Sequence, residues 1–478
     1  MRSPRTTAVA VLALLNVFTL AAGLVVWHML PPRLARLHVP VAAARPVVNA
    51  TPVLSPAGTS ASLTQSTSSP TKSGIGAMLA RTLPSADTGA AVGIEVTDAA
   101  TGQVLYSANA TAPATPASTT KLVTAAASLA VLGPQARFTT AVRQVGGTVV
   151  LVGGGDPTLA VNEYPSTDYP RPATLAQLAA DTARALKRQG RHSVRLGYDT
   201  ALYSGPDLGP GWGDDVETGN VTPIVALEAD QGRLTVSGAL EDSDDPVNFR
   251  PRTEDPAGAA AAAFATLLAK DGITVSGTPA AAAAPASAPE LASVTSPPLV
   301  QITEQMLLES NNVIAENLAR QVAIKLGLPA TFSGAADALA TELRRLGITS
   351  PVSLYDGSGL SPQDEIAPET LVRVLRTAQQ TPKLRGVITG LPVAGFAGTL
   401  SVGDSVFGGI GGTARGVVRA KTGNLSTVAT LAGLAYDRSG TLLLFAIMAP
   451  SVPDAGQLQA AADAIDAAAA GLAACGCS

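Results

Sequence analysis

The sequence predicts an α/β fold of the α+β kind, in which an antiparallel sheet covered by helices is assembled from both ends of the chain around a mostly-β insert. Three observations carry that expectation. Two strand signals precede the first long helix, three consecutive ones come near the C-terminus, and a stretch of short strands and turns lies between them.

Ala8–Val26 is an uncharged apolar run, interrupted only by Asn16 and Thr19 and preceded by Arg2 and Arg5. A bilayer takes about 20 such residues, and a signal-peptide core only about 7–15. Residues 1–30 therefore read as a membrane anchor in preference to a cleaved signal, and in either case the bulk of the chain is exported. Residues 31–74, rich in Pro, Ala, Ser and Thr, are expected to form a disordered tether. Order begins near Ile75, with strands at Ala91–Thr97 and Val104–Tyr106 around a turn at Asp98–Gly102. A helix opens at Ser118 and stops at Gly133–Pro134. Short strands and turns run on to about Pro298, with an Ala/Pro patch at Ala280–Pro289. Helix returns over Val300–Leu326 and Ala335–Leu346. Strands at Val417–Lys421, Val428–Ala435 and Thr441–Ile447, the last two joined by a hairpin at Asp437–Gly440, precede an Ala-rich helix over Gly456–Ala474.

At 478 residues, 46% hydrophobic and 14% charged, the chain has material for two or three domains with a sizeable core. A net charge of −4 suggests no basic face for nucleic acid. Histidine is the informative shortage. Of three, His28 and His38 lie in or near the N-terminal apolar run, and His192, between two arginines, reads as a solvated strand residue. A Ser–His–Asp triad would rest on His192 alone, and a multi-His metal site has no ligands to draw on. A hydrolase built on this chain would use another base. Cys475 and Cys477, in the tail AACGCS, are too few for a four-ligand metal site, and a disulfide across one residue would be strained. They read as an exposed tail with no part in the chemistry.

In the stretch PASTTKLVTAAASL, Lys121 follows Ser118 by three residues, with Leu122, Ala125, Ala126 and Leu129 at helical spacing. Helical positions three apart lie about 5–6 Å from each other at Cβ, so the amine reaches the hydroxyl. Taking a proton from serine would be a use for a buried amine. Alone, the pair would read as a helix N-cap and a surface lysine. Ser69–Lys72 shows how little the pattern means by itself, since it holds Pro70 and has no helix behind it. Two further stretches change the weight: SNN at Ser310–Asn312, within a helical pattern, and KTG at Lys421–Gly423, at the end of a strand. Taken in this order, the three make up the signature of the penicillin-recognising serine enzymes.

The flanks narrow the resemblance. GGGDPTL at Gly153–Leu159, GPGW at Gly209–Trp212, DGSGLS at Asp356–Ser361 and AKTGNLSTVATLAG at Ala420–Gly433 resemble the D-alanyl-D-alanine carboxypeptidases of the penicillin-binding protein 4 type, peptidase family S13. The resemblance runs from about Ile75 to Pro450. It implies a transpeptidase-like sandwich, a five-stranded antiparallel sheet with helices on both faces. The catalytic domain would comprise residues 75–143 and 298–478, with residues 144–297 inserted as accessory domain or domains. It implies an exported enzyme at the extracytoplasmic face of the cell envelope, membrane-anchored or secreted. That enzyme would hydrolyse peptidoglycan stem peptides through an acyl-enzyme, with DD-endopeptidase action on cross-links as an open addition, and β-lactams would inhibit it. No metal and no organic cofactor is implied.

Carried over residue by residue, the resemblance makes Ser118 the nucleophile and Lys121 its general base. An ordinary lysine, with a pKa near 10.4, is neutral in only about one molecule in 2,500 at pH 7. A working base needs a depression of roughly three pH units, or about 4 kcal/mol. Burial and a second cation, Lys421, would both push that way. Ser310 would relay a proton to the leaving amine, and Asn312 would hold Lys121 and a substrate amide. Gly423 would let the substrate backbone lie along the strand edge. The backbone N–H groups of Ser118 and Asn424 would form the oxyanion hole. Thr422 and Ser426 would bind the terminal carboxylate, with Lys421 adding charge. Trp212 and Asp215 match the family's specificity elements, although Trp212 reads equally well as a packing residue. Two positions depart from the family pattern. Asn424 stands where a hydroxyl residue is usual, and Pro362 where a basic residue that helps hold the diamino-acid side chain is frequent. Two rival readings stay open: a serine β-lactamase on the same motifs, and a non-catalytic peptidoglycan- or penicillin-binding sensor.

Overall fold

The computed structural model describes residues 70–89, 91–163, 169–234, 251–401 and 414–477. The apolar run read as an anchor and residues 31–69 of the expected tether lie outside the described residues. Among those described, no helix is long and apolar enough to cross a membrane. Order starts a little earlier than expected, with α1 (Lys72–Thr82), whose first turn is capped by Thr71 Oγ1 accepting from Gly74 N at 3.1 Å. Strands β1 (Gly93–Asp98) and β2 (Val104–Ala108) follow as an antiparallel pair. A single 3-10 turn, Ala117–Thr119, then leads into α2 (Thr120–Leu132).

A second sheet comes next. It is built from β3 (Thr139–Val145), β4 (Thr148–Val152), β5 (Ser193–Asp199), β6 (Thr274–Val275), β7 (Ala280–Ala281) and β8 (Glu290–Thr295). Its first strand starts at Thr139, ahead of the expected boundary, and pairs with both β4 and β8. The mostly-β expectation for this stretch needs correction. The helices α3 (Leu175–Arg188) and α4 (Pro256–Lys270) pack with the sheet around a core containing Leu151, Leu178, Leu196 and Phe264. Their start signals were present in the sequence: Thr174 caps α3, and Asp255 followed by proline opens α4.

The chain then returns through α5 (Leu299–Leu308), α6 (Asn312–Lys325) and α7 (Phe332–Arg345). The single helix expected over Val300–Leu326 is thus two. Ser310 breaks it with a left-handed φ of +57°, and Asn311 caps the second helix by accepting from Ile314 N at 3.0 Å. A two-residue ladder of β9 (Val352–Ser353) and β10 (Glu365–Ile366) precedes α8 (Pro368–Gln380). Three long strands and a helix finish the chain: β11 (Val418–Leu425), β12 (Val428–Tyr436), β13 (Leu442–Ala449) and α9 (Leu458–Ala473).

The principal sheet has five strands in the order β11-β12-β13-β1-β2, every pair antiparallel. It is indeed assembled from both ends of the chain. Strands β12 and β13 are buried almost throughout, as expected of strands covered on both faces, which need continuous apolar sequence instead of alternation. Leu434, Leu444, Ala446 and Met448 face α2 and α5–α8, whereas Leu431, Leu443, Phe445 and Ile447 face α1 and α9. The C-terminal tail is not the exposed end that was expected. Cys475 is buried, Cys475 and Cys477 form a disulfide, and Cys477 O accepts from Thr71 N at 2.7 Å, which ties the tail to the start of α1.

Candidate active site

Helix α2 is apolar on every side and sits at the centre of the fold, so the lysine in its first turn is carried inward. Lys121 is 0% exposed. Its Nζ lies 2.9 Å from Ser118 Oγ, 2.6 Å from Asn312 Oδ1 and 2.8 Å from Ser358 O. Ser118 stands on the 3-10 turn ahead of the helix and is half-buried. Ala117 before it holds a left-handed φ of +48°, a conformation that costs a non-glycine residue about 1–2 kcal/mol and collects at functional sites.

Lys421, on β11, is equally buried at 0% exposure. Its Nζ donates to Ser310 Oγ at 2.8 Å and to Thr422 O at 2.7 Å. The break between α5 and α6 aims Ser310 at this amine and leaves Asn312 at the first position of α6, facing Lys121. The three motifs, far apart in sequence, thus meet around two lysine amines.

β11 is the edge strand. Val418 O accepts from Ala394 N and Ala420 N donates to Pro392 O along its outer side. Because backbone groups alternate sides along a strand, the N–H groups of Thr422 and Asn424 also point to this outer edge. Gly423, between them, pairs with Thr430, whose Oγ1 donates to Pro116 O at 2.8 Å. A Cβ on Gly423 would lie 3.0 Å from Ser118 N and 2.8 Å from Pro116 O, so only glycine lets the strand approach the serine turn this closely. Thr422 Oγ1 is 2.9 Å from Thr399 Oγ1, a neighbour that no local sequence signal pointed to.

The remaining expected residues fall less evenly. Ser426 is not brought to the group: it is exposed in the turn between β11 and β12. Trp212 is buried among Tyr203, Ile224, Val313 and Phe332, and its Nε1 donates to Asp356 Oδ2 at 2.9 Å. Asp215 is half-buried and accepts from Asn220 Nδ2 at 2.7 Å. Asn424 turns an exposed side chain outward, and Pro362 is exposed. His192 is exposed just before β5, away from any triad.

Burial lowers the Lys121 pKa to about 7, while Asp356, Glu316 and Asp364 pull it back up. The second cation expected to depress it acts the other way round: Lys421 is pushed well below its ordinary value by burial and then by the charge of Lys121. Burial, and then the nearby Asp356 charge, raise both Glu316 and Asp364. Burial also raises Asp215. Among the described residues no group of three or more His, Cys, Asp or Glu side chains is arranged to hold a metal ion.

The five-stranded sheet with helices on both faces, and the convergence of a Ser-x-x-Lys turn, a Ser-x-Asn break and a KTG edge strand, define a penicillin-recognising serine peptidase fold. The chain belongs to the D-Ala-D-Ala carboxypeptidase 3 (S13) family, whose model matches residues 76–236 and 225–472. It is 38% identical over 416 residues to the carboxypeptidase DacB of Mycolicibacterium smegmatis, covering 85% of each chain. It is 30% identical over 414 residues to a D-alanyl-D-alanine carboxypeptidase of an Actinomadura species, covering 74% of this chain and 77% of the relative. Its fold is similar to that of penicillin-binding protein 4 (dacB) from Haemophilus influenzae, with a TM-score of 0.64 and 24% identity over 81% of this chain and 97% of the other.

Proposed function

We propose that this chain is a serine D-alanyl-D-alanine carboxypeptidase that removes the terminal D-Ala of peptidoglycan stem peptides, and that β-lactams acylate it at the same serine. The observation that carries this reading is the set of contacts around one amine. A neutral lysine amine has two N–H groups and one lone pair. Asn312 Oδ1 at 2.6 Å and Ser358 O at 2.8 Å can only accept, so they take the two N–H groups. The lone pair is left for the hydroxyl of Ser118 at 2.9 Å. Burial that brings the pKa to about 7 supplies enough of the neutral form.

In this reading Ser118 Oγ attacks the carbonyl of the penultimate D-Ala as its proton passes to Lys121. The oxyanion is met by the N–H groups of Ser118 and Asn424, brought together by the close approach at Gly423. As the C–N bond breaks, the leaving amine takes a proton through Ser310, whose Oγ is held 2.8 Å from Lys421 Nζ. Water then hydrolyses the acyl-enzyme. Thr422, with Lys421, receives the terminal carboxylate. Residues 72–138 and 298–477 form the catalytic domain and carry all three motifs, with the second sheet, which begins at Thr139, and its helices inserted between them. The enzyme works at the extracytoplasmic face of the envelope, and the apolar run Ala8–Val26 anchors it to the membrane.

The test is release of free D-Ala from a stem pentapeptide by wild type and by Ser118→Ala. Release by the wild type alone supports the reading. No release with tight peptide binding favours a sensor, and rapid turnover of penicillin favours a β-lactamase.

A further inference from the structure

Each of the two acceptors on the Lys121 amine is braced from one short segment, Gly209–Val221, which does not itself reach the amine. The first brace runs through Trp212, which is 4% exposed and donates from Nε1 to Asp356 Oδ2 at 2.9 Å. Asp356 accepts the backbone N–H groups of Ser358 at 3.1 Å, Gly359 at 2.6 Å and Ser361 at 2.7 Å. Its carboxylate therefore shapes the loop that presents Ser358 O to Lys121. The second brace runs through Asn220, whose carbonyl oxygen accepts from Asn312 Nδ2 at 3.0 Å. A lysine amine donates and a backbone carbonyl accepts, so these two partners fix which way the Asn312 amide points. Asn220 is held in turn by its Nδ2 donating to Asp215 Oδ1 at 2.7 Å and its N–H donating to Asp215 O at 2.8 Å.

We propose that Gly209–Val221 is the positioning element of the general base: Trp212 and Asn220, acting through Asp356 and Asn312, hold both acceptors of the Lys121 amine and so aim its lone pair at Ser118. The proposal rests on the acyl-enzyme reading above. It gives Trp212 a place as a positioning residue instead of a wall of the substrate pocket. The loop has a second hold, because Glu316 on α6 accepts from Gly357 N at 3.0 Å and Ser358 N at 2.7 Å. Loss of the Trp212 brace should therefore misdirect the amine without dismantling the loop.

Trp212→Phe removes the indole N–H and keeps an aromatic ring against Phe332, whose ring centroid is 5.2 Å away. Asn220→Ala releases the second brace, and serves also if the first variant folds poorly. Acylation by a fluorescent penicillin is followed by stopped flow on the full chain, with active sites titrated so that rates refer to folded enzyme. The acylation constant at saturation is expected to fall roughly 10- to 100-fold in each variant, with half-saturation within about twofold of wild type. D-Ala release should fall in parallel. The double variant should lose less than the product of the two, because both misdirect the same amine. A lowered melting temperature with an unchanged acylation constant would overturn the proposal, and so would weaker peptide saturation with normal acylation, which would make Trp212 a substrate contact. A wild type that forms no adduct at Ser118 overturns the acyl-enzyme reading and the brace with it. A normal wild type with unaffected variants overturns the brace alone.

Discussion

Acylation should follow the fraction of Lys121 that is neutral. Burial takes the amine from an ordinary 10.5 to about 7, against the opposing pull of Asp356, Glu316 and Asp364. The working form is the deprotonated one, so activity is present above this pKa and is lost as pH falls through it. At pH 7 about half of the molecules hold a neutral base, and at pH 5 about one in a hundred. The second-order rate constant for acylation should therefore fall roughly tenfold for each pH unit below about 6, and level off above about 8. Stopped-flow acylation by a fluorescent penicillin, measured across that range at constant ionic strength, reads this limb directly. A rate that is flat down to about pH 5, or that rises only near the pKa of free lysine, about 10.4, would refute the assignment of Lys121 as a buried base.

Gly423→Ala places a Cβ 3.0 Å from Ser118 N and 2.8 Å from Pro116 O, so the edge strand must move away from the serine turn. Acylation should fall roughly 100-fold as the two oxyanion donors separate, and thermal unfolding should show a loss of about 1–3 kcal/mol; unchanged acylation would mean the close approach is not used. Thr422→Val removes the hydroxyl that lies 2.9 Å from Thr399 Oγ1. The KM for peptides with a free terminal carboxylate should rise roughly tenfold or more, while a C-terminally amidated peptide loses nothing further. Pro362→Arg, at an exposed position, should improve kcat/KM for peptides with a free diamino-acid side chain by up to roughly fivefold, the worth of an exposed ion pair. An unaltered rate would assign that pocket to other residues.

Much of this fold can be read from runs of local sequence. The strands Val428–Tyr436 and Leu442–Ala449 announce themselves because both faces are covered and the apolar pattern is unbroken. Lys121 and Ser118 were legible because their pairing is a matter of helical spacing. What escaped the sequence is what depends on contacts between distant segments. The one local mark of the break at Ser310 is the capping residue Asn311 beside it, and the helical pattern on either side hides it; the left-handed backbone of Ser310 carries no residue signal of its own. Ser358 offers a backbone carbonyl, which carries no residue identity, and Glu316 looks like any helical glutamate until it is seen gripping two N–H groups of the Asp356 loop. Ser426 was misplaced for the opposite reason: its distance in sequence from Lys421 is short, but the hairpin turns it away from the amines. Helix α8 depends on no such contacts for its signal: Pro368 opens it and an amphipathic pattern runs on to Gln380.

The most direct test of the central claim is where penicillin attaches. Peptide mapping by mass spectrometry of the acylated full chain should find the adduct on the peptide containing Ser118, lost in Ser118→Ala and retained in Ser69→Ala: contrary to expectation a helix, α1, does follow that Ser-x-x-Lys, but Lys72 is exposed at its start and is no buried base. An adduct that persists in Ser118→Ala, or that maps to another residue, would contradict the account.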